Sequence, residues 1–215
     1  MTTIKEQEKI SLKREGTVFV VSAPSGTGKT TICKKLLKKY DTLKLSVSYT
    51  TRPPRKGEEN DIDYSFVTEE KFKKMIDKGE FAEWAMVYGN FYGTSLKRLK
   101  KLNKDGYDII LDIDTRGAMQ LKNTYDKAVY VFILPPSMQI LKDRLVSRKT
   151  ETADIVKKRL DSAREEISYY EKYDYIIVND ILKNAYQELE SIVLATKART
   201  ANADQKWIKT LLKNK

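Results

Sequence analysis

The apolar residues of this chain fall into short, nearly unbroken runs, separated by segments in which apolar positions recur every three or four residues. The unbroken runs cover residues 17–22, 108–113, 128–134 and 173–178. They are rich in Val and Ile and lack polar alternation, which is typical of parallel strands covered on both faces. The periodic segments predict helices over 30–40, 68–78, 95–102, 137–147, part of 152–170, and 184–197. The pattern therefore predicts an α/β fold with a parallel sheet core.

The segment 45–93 departs from this pattern, because it is rich in turn residues, charges and aromatic side chains. Its aromatic residues are Phe66, Phe72, Phe81, Trp84, Tyr88, Phe91 and Tyr92. A structureless loop of this length is uncommon in a compact domain, so we interpret the segment as an inserted substrate-binding subdomain with a small core of its own. Residues 1–15 and about 200–215 are predicted to be weakly ordered extensions.

Length and composition narrow the classes of function. A chain of 215 residues without an 18-residue apolar run predicts one domain with no membrane span, and the charged N-terminal stretch does not resemble a signal peptide. A cytoplasmic location is expected. Cys33 is the single cysteine and His is absent, which leaves little material for a zinc site or a histidine-based triad. Cys33 is predicted to be a buried structural thiol, and any metal should be a hard cation bound by oxygen.

The formal net charge of +11 raises the question of a nucleic-acid partner. Much of the excess lies on solvated helix faces and near the C-terminus, at Lys34, Lys35, Lys38, Lys39, Lys206, Lys209, Lys213 and Lys215. Such a distribution is typical of a solvated surface. We therefore expect no nucleic-acid partner, and we interpret part of the basicity as attraction for small anionic substrates.

The most informative motif is SAPSGTGKTT, which joins the first predicted strand to the first predicted helix. Two glycines allow backbone N–H groups to surround phosphate oxygens, Lys29 can reach the β- and γ-phosphates, and the Thr30 hydroxyl can ligate Mg²⁺. Ala23 departs from the strict motif, which has Gly there, but the residue before Pro24 is held in extended angles that Ala tolerates. The motif predicts a nucleoside triphosphate site; the alternative is a plain strand-to-helix turn.

Three further groups of charged residues are candidates for phosphate chemistry. Arg52 and Arg55 flank two prolines, and in polyproline II geometry both would project to one side as a phosphate clamp; a solvated basic turn is the alternative. Asp112 ends a predicted strand, where it could hold Mg²⁺ through water or simply terminate the strand. The third group predicts a mobile lid that closes on polyphosphate, unless it is an ordinary charged helix surface: Arg144, Arg148 and Arg159.

With these motifs in place, the chain resembles a known family, the guanylate kinases, over about residues 17–198. The matching blocks, in the family's order, are SAPSGTGKTT, SVSYTTRPPRKGEENDIDYSFV, GEFAEWAMVYGNFYGTS, ILDIDTRGAMQ, FILPPSMQILKDRLVSR and IIVND. The resemblance implies a P-loop NTPase three-layer fold and an enzyme that converts GMP and ATP to GDP and ADP. It also implies a core of residues 16–46, 98–137 and 171–199, a GMP-binding subdomain at 47–97, and a helical lid at 138–170, followed by a basic tail at 200–215.

The resemblance also assigns roles to individual positions. It implies that guanine is bound by Ser48, Glu83, Thr94 and Asp114, and the GMP phosphate by Arg52, Arg55, Tyr64 and Tyr92, with Asp112 beside them. It implies that ATP is bound by Ala23, Pro24, Ser25, Gly26, Thr27, Gly28, Lys29, Thr30 and Thr31, together with Arg148 and Asn179. The catalytic set is Lys29, Arg55, Arg144 and Arg159. Mg²⁺ is the implied cofactor, ligated by Thr30 and held by Asp112 through water.

Some positions depart from the family pattern, namely Lys149, Ala153-Asp154 and Ile181, all in the lid or the adenine loop. Two other functions remain open. A guanylate-kinase-like protein-binding module would have the same fold, although the phosphate loop favours an enzyme, and a kinase for a phosphorylated sugar would lack the guanine-binding residues. The expected partners are ATP, GMP and dGMP, with no membrane, and a homo-oligomer is possible.

Overall fold

A computed structural model describes residues 15–87, 89–125, 127–147 and 152–213. Its central sheet has five parallel strands in the spatial order β2-β7-β1-β8-β9. The strands are β1 (Val18–Ser22), β2 (Leu43–Leu45), β7 (Asp108–Asp112), β8 (Val129–Leu134) and β9 (Tyr175–Val178). The four predicted strands and the α/β fold class are therefore confirmed. The three-residue strand β2 was not predicted, because it is too short to stand out from its surroundings.

Helices cover both faces of this sheet. One face packs against α1 (Lys29–Lys39) and α7 (Leu182–Lys197), and the other against α3 (Leu96–Lys104) and α4 (Thr115–Thr124). Alternate residues of β1 enter the two cores, with Phe19 and Val21 on one side and Val18 and Val20 on the other. The cores bury apolar surface on both faces of β1, β7 and β8, which explains their lack of polar alternation. The edge strand β9 is different, because Ile176 and Val178 are exposed.

Helix α4 was not predicted, since Gly117 and several polar residues weaken its apolar pattern. Its buried contacts come mainly from Ala118 and Leu121. The other predicted helices of the sheet layers are confirmed to within two residues at each end. Cys33 lies on the buried face of α1 with 2% of its surface exposed, as predicted for a structural thiol.

A second sheet lies within the inserted segment, in the order β4-β3-β6-β5. Its strands are β3 (Tyr49–Thr50), β4 (Ser65–Phe66), β5 (Phe81–Val87) and β6 (Asn90–Ser95). The pairs β3-β6 and β5-β6 are antiparallel, while β3 and β4 are parallel. Helix α2 (Glu69–Asp77) packs on this sheet and begins where the Thr68 side chain accepts a hydrogen bond from the Lys71 backbone N–H.

The inserted segment has its own aromatic core. Phe72 stacks between Phe81 and Phe91, with ring centroids 4.4 and 5.3 Å away, and Met75 completes the buried cluster. The predicted core of aromatic residues is confirmed for these three rings. It is wrong for Trp84, which is 36% exposed, and Tyr88 lies outside the described residues.

Two helices, α5 (Met138–Val146) and α6 (Ala153–Ile167), pack together through Leu141, Leu145, Val156 and Ala163. Both agree with the sequence prediction. Helix α8 (Gln205–Lys213) does not, because weak order was predicted there. Its apolar residues Trp207, Ile208, Leu211 and Leu212 recur on one side of the helix, which explains the helix. Within the described ranges, every helix is too short or too polar to cross a lipid bilayer.

Candidate active site

The loop between β1 and α1 has the geometry of a phosphate-binding loop. Helix α1 begins at Lys29, and Gly28 precedes it with a φ of 98°, a conformation that L side chains rarely adopt. A Cβ atom at this position would also lie 2.6 Å from the Asn179 amide nitrogen. The loop therefore requires glycine at position 28 for two separate reasons.

Asn179 holds this loop from the end of β9. Its side-chain amide donates a hydrogen bond to the Thr27 carbonyl at 2.6 Å, and the residue is only 4% exposed. Its other side-chain atom, Oδ1, is buried and has no hydrogen-bond partner among the residues the structure describes. The structure thus brings Asn179 to the predicted ATP site, at the back of the phosphate loop.

Lys29, Thr30 and Asp112 meet at the carboxyl ends of β1 and β7. The Lys29 ammonium lies 2.7 Å from the Asp112 carboxylate and donates to the Ile113 carbonyl at 2.8 Å. The Thr30 hydroxyl donates to the other Asp112 oxygen at 3.1 Å. Burial favours the neutral amine of Lys29, but the Asp112 carboxylate outweighs it and raises the pKa of Lys29 above its ordinary value. The lysine is therefore charged at physiological pH.

The same pair of oxygen ligands suits magnesium. A hydroxyl and a carboxylate are hard donors, and Mg²⁺ in kinases typically takes one or two protein oxygens and completes its shell with water and substrate phosphate. Thr30 and Asp112 lie close enough to share one ion directly or through water. The donor set thus fits the implied cofactor.

The two described arginines of the predicted lid reach the phosphate loop. Arg144 donates to the Asn179 carbonyl at 3.0 Å and to the Thr27 carbonyl at 3.5 Å, and Arg159 donates to the Ser25 hydroxyl at 2.9 Å. Arg148 lies outside the described residues. Helices α5 and α6 therefore place two positive charges against the phosphate loop.

The predicted phosphate clamp is centred on Arg52. Its guanidinium forms two hydrogen bonds with the Glu58 carboxylate, at 2.8 and 2.9 Å, and lies 5.4 Å from the centre of the Tyr64 ring. Tyr64 in turn contacts Tyr92 edge to face, with ring centroids 5.9 Å apart. Burial raises the pKa of Tyr64, and the nearby Asp112 carboxylate raises it further. The clamp therefore faces the P-loop lysine and its aspartate.

Arg55 does not share the surroundings of Arg52. Its side chain is exposed, and its backbone N–H donates to Glu58 at 2.7 Å. Burial opposes ionisation of Glu58, but Arg52 and this N–H outweigh burial and lower the pKa of Glu58. The two arginines therefore differ in their surroundings, because a turn at Gly57 brings Glu58 to the Arg52 guanidinium and to the Arg55 backbone N–H. That both guanidinium groups project to one side as a phosphate clamp stays a prediction.

The predicted guanine-binding residues converge on the inserted sheet. Glu83 of β5 pairs with Thr94 of β6, and the Thr94 hydroxyl donates to the Glu83 carboxylate at 2.5 Å. Ser48 precedes β3, whose Tyr49 pairs with Gly93, so Ser48 lies beside Thr94. All three side chains are buried, with at most 9% of their surface exposed. Such a buried carboxylate beside two hydroxyls can bind a polar planar group.

Asp114 and Gly117 close this site from the central domain. Asp114 caps α4 by accepting a hydrogen bond from the Gly117 N–H at 2.8 Å. A Cβ atom on Gly117 would collide with the Glu83 carboxylate, so glycine permits the close approach of β5 and α4. Burial raises the pKa of Glu83 to about 7; the Thr94 hydrogen bond lowers it and the Asp114 charge raises it.

Two residues of the site were not found from the sequence. The sequence indicates Glu58 only weakly, because an acidic residue three positions after Arg55 in a turn is a natural ion-pair partner. Gly117 has none, because only the approach of a distant strand makes its lack of a side chain necessary. Contacts link several of the other predicted site residues, namely Thr30 with Asp112, Arg159 with Ser25, and Glu83 with Thr94, whereas the Arg55 side chain is exposed.

Comparisons with known proteins agree with this geometry. Residues 15–196 match the family model described as guanylate kinase. The chain is 51% identical to the guanylate kinase of Geobacter metallireducens over 88% of this chain and 93% of the relative, and 46% identical to that of Clostridioides difficile over 87% and 92%. The crystal structure of guanylate kinase from Anaplasma phagocytophilum superposes with a TM-score of 0.78 at 36% identity, covering 95% of this chain and 97% of the other. The chain belongs to the guanylate kinase family, the nucleoside monophosphate kinases that phosphorylate GMP to GDP.

Proposed function

We propose that this chain transfers the γ-phosphoryl group of ATP to GMP, with dGMP as a second acceptor, through the residues described above. The observation that carries the proposal is the buried Glu83 beside Thr94 and Asp114, in a cleft that also contains an intact phosphate loop. A protein-binding module would need neither feature. A sugar-phosphate acceptor would leave the buried Glu83 carboxylate without the donors that guanine supplies.

The reaction needs no protein nucleophile. A GMP phosphate oxygen attacks the γ-phosphorus in line, and ADP leaves, so catalysis consists of positioning and of neutralising charge. Lys29 neutralises charge on the β- and γ-phosphates, and Arg144 and Arg159 approach the same oxygens from the opposite side. When bound, Mg²⁺ would supply further neutralisation from its site at Thr30 and Asp112.

The acceptor is held at both ends. Arg52, Arg55, Tyr64 and Tyr92 bind its phosphate, and this clamp faces Lys29 across the cleft. At the other end, ionised Glu83 accepts hydrogen bonds from the guanine N1 and N2 groups, while the Ser48 hydroxyl donates to O6. Adenine has a lone pair at N1 and an amine at position 6, so it would leave these buried groups unpaired.

The test is an acceptor panel at fixed ATP, comparing GMP, dGMP, AMP, UMP and CMP. A site that binds its substrate by hydrogen bonds can reject a mismatched analogue strongly, so kcat/KM for GMP should exceed that for AMP by at least roughly 10³. Glu83→Gln should lose GMP activity, and its ratio of kcat/KM for GMP to that for AMP should be smaller. Glu80→Gln, at an exposed position three residues earlier in the chain, should leave both quantities unchanged. An unchanged GMP/AMP ratio in Glu83→Gln would show that Glu83 does not recognise guanine.

The wider setting is proposed on the same basis. Substrates such as ATP and GMP favour a cytoplasmic location, and the partners are these nucleotides. A homo-oligomer would form through exposed elements such as helix α8 and the edge strand β9, and sedimentation would detect it.

A further inference from the structure

Glu166, on helix α6, is a carboxylate that the reaction described so far does not use. It is half-buried, and among the described residues no group donates a hydrogen bond to its side chain. It lines a cavity of about 180 Å³ with residues of the inserted sheet and of the central domain, including Met86, Val87, Asp114 and Thr115. The cavity therefore lies where the three parts of the molecule meet.

The electrostatic surroundings of Glu166 locate it along the acceptor site. Burial raises its pKa to about 7; the Lys29 charge lowers the pKa and the Asp114 charge raises it. Lys29 belongs to the phosphate end of the proposed acceptor site and Asp114 to the guanine end. Glu166 lines the same cavity as Asp114 and is also influenced by the Lys29 charge, which agrees with a position beside the ribose, between the base and the phosphate.

A second buried polar group lies in the core of the central sheet, outside the residues that line this cavity. The Tyr173 hydroxyl is buried near Ser22 and, within the described part of the chain, has no hydrogen-bond partner of normal geometry. It interacts electrostatically with Lys29, Asp114 and Glu166. Buried polar groups without a partner are rare in folded proteins and commonly mark the place of a ligand or ordered water. The cavity has room for about six water molecules, which is the scale of a pentose ring.

We propose that Glu166 binds the ribose of the acceptor nucleotide by accepting hydrogen bonds from its 2′- and 3′-hydroxyl groups. An ionised carboxylate is an acceptor with two oxygens, which matches the two donors of a vicinal diol. Acidic residues bind ribose hydroxyls in this way in dinucleotide-binding proteins. Because Glu166 lies on α6 with Arg159, the same helix contacts the acceptor sugar and the phosphate loop.

This inference rests on the proposed function, and its test separates the two. The experiment measures kcat/KM for GMP, 2′-deoxy-GMP and 3′-deoxy-GMP with the wild-type enzyme, Glu166→Ala, Glu166→Gln and Asp161→Asn. Asp161 is an exposed residue of α6 paired with Arg164, and its variant is the matched control. A folded wild-type protein that phosphorylates no guanine nucleotide would contradict the proposed function itself.

The expected result is a loss of discrimination between sugars. Wild type should prefer GMP to each deoxy analogue by about ten-fold, the scale of one hydrogen bond to a charged group. Glu166→Ala loses both hydrogen bonds to GMP but only the one that remains with each deoxy analogue, so kcat/KM should fall by about a hundred-fold for GMP and by about ten-fold for each analogue, with Glu166→Gln intermediate. Equal losses for all three acceptors, with the ratio preserved, would show a structural role and overturn the proposal. Should the variants fail to fold, a wild-type enzyme that uses all three acceptors equally would overturn it as well.

Discussion

The phosphate loop and the inserted sheet present two ways of building a binding site. The loop places nine consecutive residues, 23–31, around one point, and its geometry comes from local backbone angles and a helix start. The inserted sheet assembles Ser48, Glu83 and Thr94 from three segments and needs Gly117 of the central domain to complete the site. A contiguous site depends on local conformation, whereas a dispersed site depends on strand register and on the approach of two layers.

The largest effect is expected at the contiguous site. Lys29→Met removes the charge that Asp112 holds in place, so kcat should fall by at least roughly 10²-fold while the KM for GMP changes little. Steady-state kinetics with both substrates measures this, and Lys35→Met on the exposed face of α1 is the control. Wild-type turnover in Lys29→Met would contradict the assignment of the donor site.

The next effect sharpens the difference between the two arginines of the clamp. Arg55→Ala should raise the KM for GMP by about 10- to 100-fold, the scale of charged hydrogen bonds, and leave the melting temperature unchanged because the side chain is exposed. Arg52→Ala should raise the KM and also lower the melting temperature, since it removes the charged partner of Glu58 and leaves only the Arg55 backbone N–H. Lys56→Ala is the control. If only the KM for ATP changed, both arginines would be assigned to the ATP site and not to the GMP site.

A smaller effect concerns pH. Guanine donors require ionised Glu83, and its pKa of about 7 leaves roughly a tenth of the groups ionised at pH 6. The kcat/KM for GMP should therefore rise by about ten-fold between pH 6 and the plateau above pH 8. The contribution of Glu83 to folding has the opposite sign, because its raised pKa stabilises the folded state at low pH and this stabilisation is lost as pH rises from 4.5 through about 7.

Comparison with Glu83→Gln tests the kinetic part of this prediction. The GMP phosphate also titrates near pH 6, and this variant retains that ionisation while lacking the carboxyl group. The neighbours Thr94 and Asp114 remain in place as well. A variant profile as steep as that of wild type would assign the pH dependence to another group, either the GMP phosphate or Glu166.

The smallest effect is expected from Gly117→Ala, which tests the approach of the two layers. The new methyl group would displace the flexible end of Glu83, so the KM for GMP should rise by about five-fold, corresponding to one weakened hydrogen bond. The melting temperature should stay level or rise, because Ala is the better helix former. An unchanged GMP KM would show that Glu83 need not approach α4 for binding.

The same contrast explains what could be predicted from the sequence. The central strands, the phosphate loop and the capped helix α2 are local patterns, and the structure confirms them. None of the strands of the inserted sheet was predicted. For β3 and β4 the reason is their length, since they have two residues each and exist only through pairing. The positions of Ser48, Glu83 and Thr94 were inferred from family resemblance, because nothing in the local sequence indicates that the three side chains meet.

The contact between the phosphate loop and α5 has a consequence for how the chain can vary. A Cβ atom on Gly26 would lie 2.9 Å from a methyl carbon of Leu145 and 3.2 Å from one of Leu141. A larger residue in the loop would therefore require smaller ones on the helix, in addition to tolerating a φ of 95°. The phosphate loop and helix α5 share one packed surface. A larger residue in the loop is therefore expected to be tolerated only together with a smaller residue on the helix.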